Sequence, residues 1–290
     1  MIDSYSHLVV VAETLNDDQL KPVRDILGAD FVESRTSSTA CQAVHFRLRI
    51  EATADQQQAI SRAATRLGLD TCWLPAALQR SAPGLLVLDV DSTFIDQEVI
   101  ELIAERSGTR EQVAAVTERA MRGELDFEQS LHARVATLKG ISDDVFDAVR
   151  QEVTVTAGAE ELVRAVQSNG GDVALVSGGF AEIVVPLAAG FDIDKVRANR
   201  LEVDGGVLTG RVLGEVVDRS VKARMLQEYA NELGVPLSRT VAVGDGANDL
   251  DMLGVAGLGI AFQAKPAVRE QADMSLGFRR LDAIVALLGL

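Results

Sequence analysis

The chain has 290 residues, enough for one large domain and a small one. Hydrophobic residues make up 47% of it, which allows a sizeable core and argues against disorder. Its 43 acidic residues outnumber 28 Lys and Arg, a formal net charge of −15, so nucleic acid and anionic membrane are both excluded as expected partners.

In chain order, HLVVVAE (7–13) reads as a strand, and residues 17–27 carry helical spacing through Leu20, Val23 and Leu27. Residues 30–36 and 41–51 alternate apolar and polar side chains as strands do, 54–67 is helical, and LDTCWLP closes a βαββαβ order in about 75 residues. That order predicts a ferredoxin-like split-βαβ unit. PAALQRSAPG (75–84), with two prolines and a glycine, reads as a linker.

From residue 84 the pattern changes. GLLVLDVDST, DVALVSGG (172–179), TVAVGDG (240–246) and LGIAF (258–262) are nearly continuous apolar runs, as buried parallel strands should be. Helical patterns at 159–168, 180–189, 218–233 and 247–255 separate the later runs and predict a doubly wound α/β sheet. Between Asp91 and about residue 155 only helices are read, at 96–107, 109–121, 126–138 and 142–151. This is a helical insertion after the first strand, placed to cap the site edge. RLEVDGGVLTGRVLG (200–214) reads as a hairpin around its Asp-Gly-Gly turn.

Four polar clusters follow apolar runs, where such sheets bind ligands. Asp89-Val90-Asp91 offers one carboxylate to attack phosphorus and one to protonate a leaving oxygen, chemistry that needs a cation to neutralise charge. Ser177-Gly178-Gly179, before a helical pattern, offers an anion a hydroxyl and free backbone N–H groups at a helix N-terminus. Lys222 begins a helix and can hold a phosphate oxygen. Asp245 and Asp249, in GDGAND, share one side of a helical turn and are hard ligands suited to magnesium. Singly, each cluster is as readily a helix cap, a tight turn or a surface charge.

Together and in this order they resemble the haloacid dehalogenase superfamily. The resemblance implies a Rossmann-like core in which Asp89 is a nucleophile that becomes phosphorylated. Asp91 would be the acid and base, its backbone carbonyl helping to hold Mg2+ beside Asp89, Asp245 and Asp249. Ser177, Gly178, Gly179 and Lys222 would bind the phosphoryl group. The acid at 91 favours a phosphatase over a dehalogenase.

More narrowly, DVDSTFIDQEVIELIAE, MRGELDFEQSLHARVATLKG and GDGANDLDML resemble phosphoserine phosphatases, and the likeness covers nearly all of 84–290. It implies hydrolysis of phosphoserine through an aspartyl-phosphate, the last step of serine biosynthesis. Glu98 would read the substrate's ammonium and Arg134 its carboxylate, which a guanidinium grips with two hydrogen bonds. Met121 and Phe127 match apolar residues that close the pocket, and Asn248 a polar residue near the phosphate. The cap (about 95–155) would act as a lid. A phosphotransferase, or a phosphatase for phosphoethanolamine or another small phosphomonoester, stays open. So does an amino-acid-binding protein on an inactive core, although the intact set of acids argues against it.

Residues 1–76 resemble an ACT-type regulatory domain, and 77–290 would form the phosphatase domain. The turn AETLNDDQ lacks the glycine at which such domains bind amino acids, so pairing through a sheet edge into a homodimer is the expected role. Cys41 and Cys72, outside any CxxC, read as buried thiols, and His7, His45 and His132 lack metal-ligand spacing. MIDSYSHLVVV shows no signal-peptide pattern and no apolar run reaches membrane length, so the cytoplasm is the expected location.

Overall fold

A computed structural model of the chain describes residues 6–290; the first five residues of MIDSYSHLVVV lie outside the described residues. The first elements are β1 (His7–Ala12), α1 (Asp17–Leu27), β2 (Phe31–Ser37), β3 (Gln42–Leu48), α2 (Ala54–Leu67) and β4 (Asp70–Trp73). They build a four-stranded antiparallel sheet in the order β2-β3-β1-β4, the arrangement expected of βαββαβ. Both helices open on a capping box, Asn16 with Gln19 and Thr53 with Gln56.

All six residues of β1 are buried, because the sheet is covered on both faces. Leu8 and Val10 pack with Leu20, Val23 and Ile60 of the two helices. Val9 and Val11 face the other way, with Leu281, Ile284 and Leu287 in one continuous core. This explains why β1 is an unbroken apolar run instead of an alternating one.

The rest of the chain comprises β5 (Leu85–Leu88), the cap helices α3 (Val99–Ser107), α4 (Arg110–Met121), α5 (Phe127–Ala136) and α6 (Val145–Glu152), then α7 (Ala159–Ser168), β6 (Asp172–Phe180), α8 (Ala181–Ala189), β7 (Lys195–Asp204) and β8 (Val207–Leu213). It continues through α9 (Arg219–Glu232), β9 (Thr240–Gly244), α10 (Leu250–Val255), β10 (Leu258–Phe262), α11 (Pro266–Arg269), β11 (Met274–Leu276) and α12 (Ala283–Leu288). Seven strands form one sheet, β11-β10-β9-β5-β6-β7-β8, parallel except for β8. Leu85 and Val87 point to the side of α9 and α10, with Val221, Leu226 and Met252. Leu86 and Leu88 point to the other, with Leu162, Val166 and Ile183. The central strand is thus buried on both faces, as its sequence demands.

Several expectations shift. The hairpin is no appendage: β7 begins at Lys195 and pairs in parallel with β6, so the hairpin is the sheet's own edge. Gly205 and Gly206, both at positive φ, make its two-residue turn. The first cap helix starts at Val99, not 96, because Ile95 is held in a bridge with Val155. The helix read over 247–255 is a single 3-10 turn followed by α10. The stretch 75–84 is packed, with Leu78 buried, Arg239 Nη2 donating to Ala82 O and Gly84 N to Arg239 O. The short elements α11, β11 and α12 were not foreseen. Almost all of α12 is buried, packed on β1, β2 and β3 and against α7.

A polar seam also joins the N-terminal sheet to α12. His7 Nε2 lies 3.0 Å from His45 Nδ1, and His45 Nε2 lies 2.7 Å from Thr36 Oγ1 and 3.2 Å from Ala286 O on α12. Burial, then His45 and Arg47, lower the His7 pKa from 6.5 to about 4. Burial is also the main cause that lowers His45. Both rings are therefore neutral in the folded protein. Because these folded-state values lie below the unfolded one, the stability is complete above about pH 6.5 and is lost as pH falls towards 4. Melting temperatures between pH 7.5 and 4.5 should show this decline, and His7→Gln should make it shallower.

Candidate active site

The clusters singled out in the sequence gather at the carboxyl ends of β5, β6 and β9 and at the start of α9. After Leu88 the chain makes one wide turn over Val90–Phe94, in which Phe94 N donates to Asp89 O and Ile95 N to Val90 O. Ser92 sits at φ 58, a left-handed conformation that non-glycine residues adopt at some cost. The turn sends the two acids in different directions.

Asp89 points at Lys222. This lysine lies in the first turn of α9, whose N-terminus is capped by Asp218 accepting from Val221 N at 2.9 Å. Lys222 is fully buried, with Nζ 2.6 Å from Asp89 Oδ1 and 2.7 Å from Asp249 Oδ1. Burial disfavours its charged form, but Asp249 and Asp89 outweigh burial and hold the pKa above that of an ordinary lysine. Asp249 is fixed from behind by Gly246 N, which donates to Oδ2 at 2.9 Å. A Cβ on Gly244 would overlap Asp249, so close approach requires glycine there. Asp245 stands nearer the surface, with Thr93 Oγ1 3.5 Å from its Oδ1.

Carboxylate oxygens of Asp89, Asp245 and Asp249 lie within 4.8 Å of one another. Three acids against one ammonium leave surplus negative charge. Burial, then Asp249, raise Asp89 well above the usual carboxylate range. Burial, then Asp249 and Glu98, push Asp245 up to about 6. Asp89 Oδ1, although close to Lys222, lacks the alignment of a hydrogen bond and has no other donor. Hard oxygen donors, excess charge and an unsatisfied buried oxygen fit a divalent cation.

The Asp91 carboxylate is outside this cluster. It lies against Gly179, where a Cβ would come within 2.9 Å, and Val99 N is 3.4 Å from its Oδ1. Burial, then the Glu98 charge, push Asp91 up to about 8. Ser177 is fully buried and its Oγ accepts from Gly179 N at 2.8 Å. Here the structure corrects the reading of Ser177-Gly178-Gly179 as a helix N-terminus. β6 runs on to Phe180, with its pairing to β7 shifted between Val176 and Phe180, and the Gly179 N–H is already engaged.

A cavity of about 550 Å3 separates core from cap. Asp89, Asp91, Gly178, Gly179, Asp245 and Asn248 line it from the core, and Glu98, Met121, Phe127 and Arg134 from the cap side. Ser177, Lys222 and Asp249 are not in its lining and act from behind the wall. Glu98 accepts from Ser92 Oγ at 2.7 Å. Arg134 Nε lies 3.4 Å from Ser130 O, and burial lowers its pKa. Among the described residues neither Glu98 nor Arg134 makes an ion pair, so both charges are available to a ligand. Met121 is 74% exposed, a rim residue and not cap core. Phe127 packs on the main core while its ring touches Gly178.

Sequence reasoning missed Lys265, a second cation on the cavity wall, and the two hydroxyls of Ser92 and Thr93 that hold Glu98 and Asp245. Lys265 follows β10, so the strand-end rule extended to LGIAF would have found it.

The model of the haloacid dehalogenase-like hydrolase family matches residues 86–254, more than half of the chain. The phosphoserine phosphatase of Streptomyces coelicolor is 51% identical over 248 residues, 86% of this chain and 60% of that protein. The chain thus spans less than two thirds of that relative's length. The phosphoserine phosphatase of Streptococcus thermophilus is 52% identical over 71% of this chain and 95% of its own. Among solved structures, a probable phosphoserine phosphatase from Vibrio cholerae, unliganded, superposes with a TM-score of 0.82 at 36% identity, covering 98% of this chain and 86% of that one.

Lys222→Met would leave two buried carboxylates without their counter-charge. Losing one partner of a buried ion pair costs about 3–5 kcal/mol, so denaturant unfolding of this variant should show a loss on that scale.

Proposed function

We propose that this chain, which belongs to the haloacid dehalogenase-like hydrolase family, hydrolyses O-phospho-L-serine to serine and phosphate. The observation that carries this reading is one cavity holding two ends of different character. At its floor are Asp89 and Asp245, backed by Lys222 and Asp249. Beside the cap are an unpaired acid, Glu98, and an unpaired guanidinium, Arg134. Phosphoserine carries a phosphate for the first end, and an ammonium and a carboxylate for the second. Relatives that bear the name phosphoserine phosphatase support the same substrate.

In this mechanism Asp89 attacks phosphorus and the bond to the serine oxygen breaks. Asp91, protonated at neutral pH by its raised pKa of about 8, gives its proton to that oxygen. The resulting carboxylate takes a proton from the water that then cleaves the aspartyl-phosphate, which frees phosphate and restores both acids. Lys222 neutralises Asp89, and Ser177 orients the Gly179 backbone. Gly178 and Gly179 leave room for the phosphoryl oxygens, and Asn248 lines the same cavity as a polar contact for them. Met121 and Phe127 narrow the mouth. Mg2+, held by Asp89, Asp245, the backbone carbonyl of Asp91 and, through its support, Asp249, would supply positive charge for the attack.

The N-terminal unit, 1–76, is assigned as an ACT-like domain and 77–290 as the phosphatase domain, with the cap at about 95–155. Its sheet has β4 beside β11 and joined to the core through Asp70, whose Oδ2 accepts from Gly277 N at 2.7 Å, whereas β2 is an outer edge with Val32 54% exposed. Pairing of two β2 edges would make a homodimer. No helix of the described residues is long and apolar enough to cross a membrane. Cys41 and Cys72 are free and buried, which suits a cytoplasmic enzyme.

Phosphate release from phosphoserine, phosphothreonine, phosphoethanolamine and p-nitrophenyl phosphate tests the reading. Phosphoserine should be preferred and EDTA should abolish turnover, with Mg2+ restoring it. Activity only with an alcohol acceptor would assign a phosphotransferase. Asp89→Asn should form no phospho-enzyme; most activity surviving would remove Asp89 as nucleophile. Arg134→Ala should impair phosphoserine at least about tenfold more than p-nitrophenyl phosphate, the scale of a lost charged hydrogen bond; equal losses would assign Arg134 to folding.

A further inference from the structure

The cap joins the core through two crossing segments, 94–98 and 153–157. They are laced to each other: Ile95 bridges Val155, Asp96 N donates to Thr154 O at 2.9 Å, and Thr156 N donates to Phe94 O at 2.9 Å. Any change in the angle of the cap must be absorbed here.

A strap, residues 277–282, lies across this pair and is bonded to both. Arg279 Nε donates to Asp96 Oδ1 at 2.8 Å, and its Nη2 to Ile95 O at 3.3 Å. Asp96 Oδ1 also takes Thr156 Oγ1 at 3.4 Å, so one carboxylate joins the two crossings and the strap. Leu281 N donates to Ala157 O at 2.8 Å. The guanidinium of Arg279 stands 5.9 Å from the ring centre of Phe262, at the end of β10.

The N-terminal unit grips the same strap. Gly277 N donates to Asp70. Asp282 Oδ2 accepts from Ser38 Oγ at 2.8 Å and Ala40 N at 3.2 Å. Gly158, at φ 80, presses on Asp282 with no room for a Cβ, which locks the strap to the start of α7.

We propose that Arg279 is a positioning residue: it sets the hinge angle at which Glu98 and Arg134 face the catalytic carboxylates, and the N-terminal unit anchors the strap that carries it. The residues that act on phosphorus come almost wholly from the core, whereas Arg134 lies beyond the hinge and Glu98 at its end. Loosening the hinge therefore harms recognition of the amino-acid part and spares the chemistry. The inference rests on the reading of Glu98 and Arg134 given under Proposed function.

The test is steady-state kinetics of full-length Arg279→Gln with phosphoserine and p-nitrophenyl phosphate at saturating Mg2+. The kcat/KM for phosphoserine should fall about tenfold, mainly through KM, the scale of one weakened charged hydrogen bond to the substrate's carboxylate. p-Nitrophenyl phosphate should stay within about twofold by the same argument. Arg279→Lys should be intermediate, and Asp96→Asn, which keeps the volume, should reproduce the split if Arg279→Gln fails to fold. Equal loss on both substrates, or no loss on phosphoserine, overturns the proposal. If the unaltered enzyme does not prefer phosphoserine, the substrate assignment fails, and the hinge is judged by hydrogen exchange: faster exchange of 94–98 and 153–157 in Arg279→Gln supports it, and unchanged exchange overturns it.

Discussion

A lysine ammonium with no access to water, hydrogen-bonded to one carboxylate and ion-paired with a second, is the constraint around which this molecule is arranged. Lys222, Asp89 and Asp249 are each at most 3% exposed. Such a group is tolerable only if its partners are close and held on several sides. The requirement reaches outward through the fold. Asp89 must end the central strand, Lys222 must open α9 on one face of the sheet, and Asp249 must enter the turn after β9. Gly244 must lack a side chain so that Asp249 can come near enough. The parallel sheet brings Asp89 and the turn that carries Asp249 to the same edge because β5 and β9 are direct neighbours. An antiparallel arrangement would send alternate strand ends to opposite edges.

The cluster is also deliberately unbalanced. Lys222 offsets only part of the charge of Asp89, Asp245 and Asp249, and the pKa values of Asp89 and Asp245 are raised by burial first and by the neighbouring Asp249 charge second. A divalent cation would resolve the imbalance, and a phosphate would then meet positive charge in a chain whose formal net charge of −15 otherwise repels anions. Lys265 and Arg134 extend the local reversal of charge to the cavity wall. Asp91 is spared from this balance by the wide turn at Val90–Phe94, which turns it towards Gly179 and Glu98. There, burial and the neighbouring Glu98 charge push its pKa up to about 8, which suits the proton donor proposed for the leaving oxygen.

What the sequence made legible follows from this physics. Long apolar runs ending in acids, a serine or glycines identified β5, β6 and β9, since a strand buried on both faces has no other composition to use. The βαββαβ unit was readable because its strands and helices have clean periodicities. The pieces that escaped are short or depend on tertiary contacts. α12 has six residues and is apolar on every side, so no period marks it, and its burial arises only once the N-terminal sheet closes over it. The helix start expected at 96 failed because Ile95 pairs across the chain with Val155, a partner 60 residues away. Ser177-Gly178-Gly179 reads as opening a helix, but β6 runs through all three residues to Phe180 before α8 begins at Ala181.

The same contrast separates chemistry from its control. Residues that must attack, protonate or neutralise are few, local and of recognisable type. The residues that hold the cap are ordinary ones, an aspartate at 96, an arginine at 279, a glycine at 158, and their meaning lies wholly in who meets them. Asp96 connects both crossing segments to the strap, and Asp282 connects the strap to Ser38 and Ala40 some 240 positions earlier in the chain. The N-terminal sheet, covered on both faces, cannot leave the core without exposing Val9, Val11 and the buried side of α12. Its hold on the strap is therefore as firm as the hydrophobic contact beneath it, and the cap, which would otherwise pivot on two extended segments, inherits a fixed reference from a part of the chain that does not line the cavity.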